Sequence, residues 1–110
     1  MFVVKKSAVE STLTKNSQEF KYSVDVTNQF KKDVVNCYYR GLDMDLLVTA
    51  VKILATEGKL PEKYKPHPLR GNYSGFMECH IQPDWLLVWQ QNDKNLTLLL
   101  TNTGTHSDLF

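Results

Sequence analysis

The chain has 110 residues, 42% of them hydrophobic, and its 13 Lys and Arg residues nearly balance its 12 Asp and Glu residues, for a formal net charge of +1. This length fits one compact domain with a real core, and the near-neutral charge excludes the simplest kind of nucleic-acid binder, a strongly basic chain. Twelve aromatic residues and a charged fraction of 23% argue against global disorder.

The two cysteines and the hydropathy of the chain exclude further classes. Two cysteines without a C-x-x-C pair cannot build a disulfide framework, which favours a reducing compartment. No apolar run approaches the ~20 residues of a membrane helix, and the first six residues are too short a stretch for a secretory signal. We therefore expect a cytoplasmic protein with no membrane partner.

Charge is distributed unevenly along the chain. Residues 1–42 and 52–70 each carry a net charge of +3, whereas residues 43–51 carry −2 and residues 71–110 carry −3. All three histidines lie at or beyond the end of the second basic segment, which is a first indication of a site there.

The N-terminal half predicts an extension, a strand and a helix. Residues 1–20 are polar and weakly patterned, so we interpret them as an N-terminal extension to a single domain over 21–110. Residues 22–26 alternate as a half-buried strand, Thr27 can cap a helix, and Gly41 can end it. The apolar face of that helix consists of Phe30, Val34, Cys37 and Tyr38.

The remaining elements complete an α+β domain. Asp43 and Gly58 bound a second helix, which forms an antiparallel hairpin with the first. The prolines and Gly71 predict an extended loop over 59–72, with no helix and little strand pairing. Three strands follow at about 75–81, 85–91 and 96–102, the last two joined by a tight hairpin at 92–95. The predicted fold is β-α-α-β-β-β, a helix hairpin packed on a largely antiparallel sheet.

Two of these strands have apolar runs without alternation. Leu86–Trp89 and Leu98–Leu100 are continuous apolar segments. Such runs are typical of strands that are central in a sheet or covered on both faces.

Four side chains suited to proton transfer lie in the last 45 residues: His67, His80, Asp84 and His106. Each has an ordinary structural interpretation as well. His67, between two prolines, suits a surface turn, Asp84 can close the turn after Pro83, and His80 can be a residue at the rim. Together at one end of the sheet, they predict a pocket for acid–base chemistry.

Several histidines and a carboxylate are sufficient to cleave RNA without a cofactor. One group takes the proton of the ribose 2′-OH, another protonates the departing 5′-oxygen, and a cation stabilises the phosphorane. The neighbouring Lys59, Lys63, Lys65 and Arg70 can hold phosphates. Four aromatic residues can either stack on bases or belong to the core: Tyr73, Phe76, Trp85 and Phe110.

A zinc site is the rival interpretation of the same side chains, because three histidines and an aspartate are common zinc ligands. Their spacings of 13, 4 and 22 residues match no local zinc signature, and neither Cys37 nor Cys79 belongs to a paired ligand motif. We therefore expect no metal and no cofactor.

Three segments resemble the YafQ-type toxins of the RelE/ParE superfamily, which belong to bacterial type II toxin–antitoxin systems. They are H-P-L-R-G at 67–71, H-I-Q-P-D-W at 80–85 and G-T-H-S-D-L-F at 104–110. The resemblance covers roughly residues 21–110, includes the predicted order of elements, and leaves residues 1–20 outside.

The resemblance implies an mRNA interferase that cleaves mRNA in the ribosomal A site. Its implied partners are the ribosome, mRNA and a cognate antitoxin, through which the complex can bind operator DNA. It implies that His106 is the general acid, that Asp84 with His80 forms the base side, and that His67 helps to hold the phosphate. The implied substrate-binding residues, taken with the nearby cations, are Trp85, Phe110, Arg70, Lys65 and Lys63.

Two other functions remain open from the sequence. A ParE-like toxin on the same fold would inhibit a topoisomerase by contact alone, and a small metal-binding domain would use the histidines as ligands. The cluster of proton-transfer groups favours the nuclease, since a binding module has no need of one.

Overall fold

The computed structural model describes residues 20–110, in which a helix hairpin packs on one face of a five-stranded sheet. The elements in chain order are strand β1 (Ser23–Val26), helices α1 (Asn28–Tyr39) and α2 (Met44–Glu57), strands β2 (His67–Pro68), β3 (Met77–Gln82), β4 (Trp85–Asn92) and β5 (Thr97–Gly104), and helix α3 (His106–Leu109). The strand order is β1-β5-β4-β3-β2. Only the β1–β5 pair is parallel among these neighbours. The predicted α+β architecture is confirmed.

The helix hairpin forms because its ends carry the expected capping residues. The Thr27 hydroxyl accepts the Phe30 backbone N–H at 3.0 Å, and the Asp43 carboxylate accepts the Asp45 N–H at 3.0 Å. Helix α2 ends at Gly58, whose φ of +77° is unfavourable for a residue with a Cβ. These local signals confirm the predicted cap residues of α1 and α2 and the predicted end of α2.

Strand β4 lies at the centre of the sheet, as its apolar run predicted. It pairs with β3 on one side and with β5 on the other, and Trp85–Trp89 are all buried. Burial raises the pKa of the Cys37 thiol to about 11 and that of the Cys79 thiol to about 12, so both side chains are neutral members of the core. The largest fully buried side chains include Trp85, Trp89, Phe30, Met44, Leu47 and Leu54.

The proline-rich segment differs from the predicted loop in two respects. It contains single turns of 3₁₀ helix at Glu62–Tyr64 and Gly71–Tyr73, where we expected no helix. Strand β2 pairs with β3 over two residues, so the expectation of little strand pairing holds. Short i→i+3 turns carry no apolar periodicity, which is why the sequence pattern misses them.

The predicted extension over 1–20 lies outside the described residues except for Phe20. That side chain is partly buried against the core, and the next residue, Lys21, donates its backbone N–H to the Ala55 carbonyl at 3.0 Å. Among the residues described, no helix has the length and apolar character needed to span a membrane.

Candidate active site

The register of three strands gathers the predicted site at one end of the sheet. His80 on β3 pairs with Leu86 on β4, and Leu86 pairs with Gly104 on β5, two residues before His106. His67 on β2 pairs with Glu78 on β3. Since Cys79 belongs to the core under the helices, the alternating Glu78 and His80 point to the opposite, open face of the sheet.

His67 is held between two acceptors. Its Nδ1 lies 2.8 Å from the Lys65 carbonyl oxygen, and its Nε2 lies 3.1 Å from Oε1 of Glu78, which is buried. Both acceptors are satisfied only by a ring with protons on both nitrogens. A His67 ring with both protons would be an imidazolium paired with Glu78 at the edge of the open face.

His80 has a single fixed ring nitrogen. Its Nδ1 lies 3.2 Å from the Pro83 carbonyl oxygen, which can only accept a hydrogen bond. Nδ1 therefore carries the proton in the neutral ring, and the lone pair is on Nε2. An imidazole oriented in this way can accept a proton through Nε2.

His106 and Asp84 meet where the β3–β4 turn approaches the end of β5. Oδ1 of Asp84 lies 3.4 Å from His106 Nδ1 and 3.5 Å from the His106 backbone nitrogen. Both side chains are solvent-exposed, by 56% for His106 and 72% for Asp84. The resemblance implied that Asp84 acts with His80, but the polar contacts of its carboxylate are with His106, because the turn faces the β5 end.

The three imidazoles form a row across the strand ends. The ring centroids of His67 and His80 are 6.4 Å apart, and those of His80 and His106 are 5.9 Å apart. Rings at this spacing are close enough for nitrogens that point to the same side to reach oxygens of one phosphate lying over the row, since each ring nitrogen needs about 2.8 Å to an oxygen. The row can therefore contact one phosphodiester from several directions.

Two aromatic side chains extend the open face beyond His106. The rings of Tyr73 and Phe110 contact edge to face with centroids 5.0 Å apart, and they are 44% and 54% exposed. They border a cavity of about 270 Å³ whose lining also includes Phe76, Val88, Asn102 and Leu109. Phe110 is therefore placed where a base could stack.

Trp85 does not lie on this surface. It is 2% exposed, belongs to the core, and donates its indole N–H to the Thr103 hydroxyl at 2.9 Å. Burial leaves neither ring face available for a base, so its role is structural, in line with the core interpretation.

The predicted cations lie on the proline-rich segment. Lys63, Lys65 and Arg70 are exposed, and the ammonium group of Lys63 lies 5.3 Å from the ring centroid of Tyr64. Lys65 has a φ of +50° and supplies the carbonyl that fixes His67. Their exposed side chains are free to approach a phosphate backbone.

Sequence reasoning missed Glu78, the carboxylate under His67. Its partner is 11 residues away, and only the β2–β3 register makes the contact visible. Its position two residues before His80 on an alternating strand was the available signal. Within residues 20–110, no group of three or more His, Cys, Asp or Glu side chains is arranged to hold a metal ion.

A family model described as "Bacterial toxin of type II toxin-antitoxin system, YafQ" matches residues 22–110. The mRNA interferase toxin YafQ of Escherichia coli strain K12 is 36% identical over 88 residues, which cover 79% of this chain and 94% of that protein.

Solved structures of similar proteins agree with this match. YafQ in the crystal structure of the E. coli DinJ–YafQ toxin–antitoxin complex has a TM-score of 0.75 at 34% identity, over 82% of this chain and 98% of that one. A metal-bound toxin from Helicobacter pylori has a TM-score of 0.71 at 44% identity, over 78% and 96%. The chain belongs to the YafQ family of bacterial type II toxin–antitoxin toxins.

Proposed function

We propose that the chain is an mRNA endoribonuclease that cleaves by acid–base catalysis through the row of three imidazoles. The observation that carries the proposal is that three rings about 6 Å apart have their Nδ1 atoms facing three different acceptors. Each ring can therefore have a separate task in one reaction.

The base of the proposed reaction is His80. Its Nε2 takes the proton of the ribose 2′-OH while the 2′-oxygen attacks the adjacent phosphorus. The bond from phosphorus to the 5′-oxygen breaks, leaving a 2′,3′-cyclic phosphate on one fragment. The Pro83 carbonyl holds the Nδ1 proton in place, so that the lone pair of the neutral ring stays on Nε2.

The acid is His106. Its Nε2–H donates a proton to the departing 5′-oxygen, which leaves as a hydroxyl group. The Asp84 carboxylate, at 3.4 Å from Nδ1, orients the ring. We thus assign Asp84 to the acid side, because its contacts are with His106.

The cation is His67, paired with buried Glu78. Its imidazolium stabilises the negative charge that develops on the non-bridging oxygens of the phosphorane. The exposed Lys63, Lys65 and Arg70 hold neighbouring phosphates, and Phe110 with Tyr73 stacks on a base next to the cut.

The family supplies the biological setting of the proposal. An E. coli relative is named an mRNA interferase toxin, and an E. coli relative is found in complex with the DinJ antitoxin. By the same logic this chain inhibits translation in the cytoplasm and is neutralised by its own antitoxin. Its small net charge suits a substrate presented by the ribosome rather than free RNA.

The test is cleavage of a message on purified translating ribosomes by the purified chain. We expect His106→Ala to lower the rate at least a hundredfold, cleavage to continue in excess chelator, and a 2′-deoxy sugar at the cut site to block it. A fully active His106→Ala variant would contradict the acid assignment. Loss of activity in chelator would instead support metal chemistry.

A cellular experiment separates the proposal from the topoisomerase alternative. Induction of the chain in a bacterium should produce new mRNA 5′ ends in a fixed relation to the reading frame. Intact messages together with DNA damage would support the ParE-like function instead.

A further inference from the structure

The helix that carries His106 makes few interactions within itself that would fix its orientation. Helix α3 has four residues, none of them buried, and His106 is the first of them. A helix this short is not stable on its own in water. The orientation of the proposed acid must therefore come from contacts that α3 makes with the rest of the domain.

Asp108 fixes the first turn of α3 and also contacts the rest of the domain. Its Oδ2 accepts the Thr105 backbone N–H at 2.9 Å, while the Thr105 hydroxyl accepts the Asp108 N–H at 3.2 Å. This reciprocal capping box fixes the first turn of α3. Gly104 permits it, since a Cβ there would lie 2.8 Å from Oδ2 of Asp108.

Arg40 then connects this turn to α1. Its Nη1 lies 2.5 Å from Oδ2 of Asp108, and its Nη2 lies 3.1 Å from Oδ1, a two-point contact between guanidinium and carboxylate. Residues 40 and 108 are 68 positions apart, so the pair joins two distant segments. The same Arg40 hydrogen bonds hold the pKa of the Asp108 carboxyl well below its usual range.

The Arg40 end of the contact is anchored firmly. Arg40 caps the C-terminus of α1, whose Phe30, Val34 and Cys37 are buried in the core. The buried Asp33 of α1 also accepts the backbone N–H of Thr103 on β5 at 3.1 Å. Helix α1 therefore holds the end of β5 and the start of α3 through two carboxylate contacts.

We propose that Arg40 is a positioning residue for His106: it fixes α3, through Asp108, in the orientation that directs Nε2 of His106 at the departing 5′-oxygen. This inference rests on the proposed function for the role of His106. The pair is partly exposed, by 46% for Arg40 and 32% for Asp108, so its effect on the stability of the whole domain is small. Its effect is local, because Asp108 is two residues from the acid.

The test compares Arg40→Gln, Arg40→Lys and Asp108→Asn with Lys94→Gln, which removes a charge at the far end of the sheet. On a normal message we expect Arg40→Gln to lower kcat about tenfold with little change in KM, because a small displacement of a catalytic group is costly. Arg40→Lys should recover part of the loss. The double variant Arg40→Gln/Asp108→Asn should be no worse than the more impaired single variant, and Lys94→Gln should match the wild type.

A second substrate separates positioning of the acid from loss of folded protein. An RNA with sulfur in place of the bridging 5′-oxygen has a leaving group that needs no proton. On it, the defects of Arg40→Gln and His106→Ala should both shrink to a few-fold. An equal Arg40→Gln defect on both substrates, a wild-type kcat on the normal one, or a double variant with the product of the two single losses would overturn the inference.

Amide hydrogen exchange tests the inference independently of cleavage. The Leu109 and Phe110 N–H groups donate to the Thr105 and His106 carbonyls and report directly on α3. We expect their exchange to accelerate severalfold in Arg40→Gln but not in Lys94→Gln. Unchanged exchange would overturn the positioning role, whereas a wild-type chain that cleaves no message would overturn the proposed function instead.

Discussion

At the scale of single residues, the acceptors around each ring distinguish three identical side chains. His67 lies between a carbonyl and a buried carboxylate, His80 faces a carbonyl through Nδ1, and His106 faces the Asp84 carboxylate through Nδ1. Acceptors around an imidazole thus select its role.

The carboxylate under His67 gives the first residue-scale prediction. Glu78→Gln keeps an acceptor for Nε2 but removes the charge that pairs with the imidazolium. We expect the single-turnover cleavage rate to fall about ten- to hundredfold, since a preorganised charge at the phosphorane is lost. Rapid-quench measurement on programmed ribosomes would provide the rate.

The control for this change is Glu62→Gln, at an exposed position of the proline-rich segment. It removes the same charge without contacting His67 and should keep the wild-type rate. Equal rates for Glu78→Gln and the wild type would mean that His67 does not act as a cation.

At the scale of elements, the end of α2 and the strand before α1 constrain each other. The Gly58 Cα faces the Tyr22 ring so closely that a Cβ would lie 2.8 Å from it. The Tyr22 hydroxyl in turn donates to Asp93 Oδ1 at 2.6 Å, and Gln91 donates to the Gly58 carbonyl at 2.9 Å. This small network fixes the start of β1 against the β4–β5 hairpin.

Two glycines provide a matched prediction for this contact. Gly58 and Gly41 both have φ near +80°, but a Cβ at Gly41 meets nothing within 4 Å. Gly41→Ala should therefore cost only the left-handed backbone energy, about 1–2 kcal/mol of unfolding free energy. Gly58→Ala should cost about 1–3 kcal/mol more, because the Tyr22 ring must move.

Urea denaturation at equilibrium would measure both changes, with an unchanged m-value as the sign that the unfolding reaction is the same. Equal losses of unfolding free energy in the two variants would mean that the Tyr22 ring moves aside at no energetic cost.

The elements that the sequence predicted well are those with local signals. Thr27, Asp43 and Gly58 act within a few residues of their own positions, so their chemistry was visible in the pattern. Helix α3 was missed because four residues carry no periodicity. Glu78 and Arg40 were missed because each depends on a partner 11 or 68 residues away.

Trp85 illustrates the opposite difficulty. An aromatic residue beside Asp84 suited base stacking, yet Trp85 also directly precedes the apolar run of β4, and the core accommodates it. Sequence alone could not decide between the two, because neighbouring residues on a strand face opposite sides of the sheet. The partner of Asp84 depends on the position of the turn in space, which the sequence pattern does not show.

At the scale of the whole molecule, the neutral total charge hides a separation of charges. The proline-rich segment beside the site belongs to a stretch with a net charge of +3, whereas β3, β4, β5 and α3 belong to one with −3. A substrate backbone that crosses the open face would meet the exposed cations of the proline-rich segment on the β2 side. Such an arrangement favours contacts with a few phosphates near the site over strong binding of long RNA molecules.

Free RNA should accordingly bind weakly. We expect a Kd for unstructured RNA near the weak end of the non-specific range, about 10⁻⁴ M at physiological salt, with a shallow dependence on salt concentration. Fluorescence anisotropy over a salt series would measure it. Submicromolar affinity with a steep salt slope would indicate that the chain recognises RNA by itself, without the ribosome.

The parallel pair of β1 and β5 has a consequence for when the protein becomes active. Strand β5 lies between the first strand and β4, and Ser23 pairs with Thr97, 74 positions along the chain. A nascent chain whose β5 is still inside the ribosome has no partner for β1 and cannot complete its sheet. Contacts between residues so far apart in the sequence also form slowly. His106 follows β5 directly, so the strand that completes the described sheet is followed at once by the proposed acid. The proposed site therefore cannot form until β5 and α3 have both been synthesised.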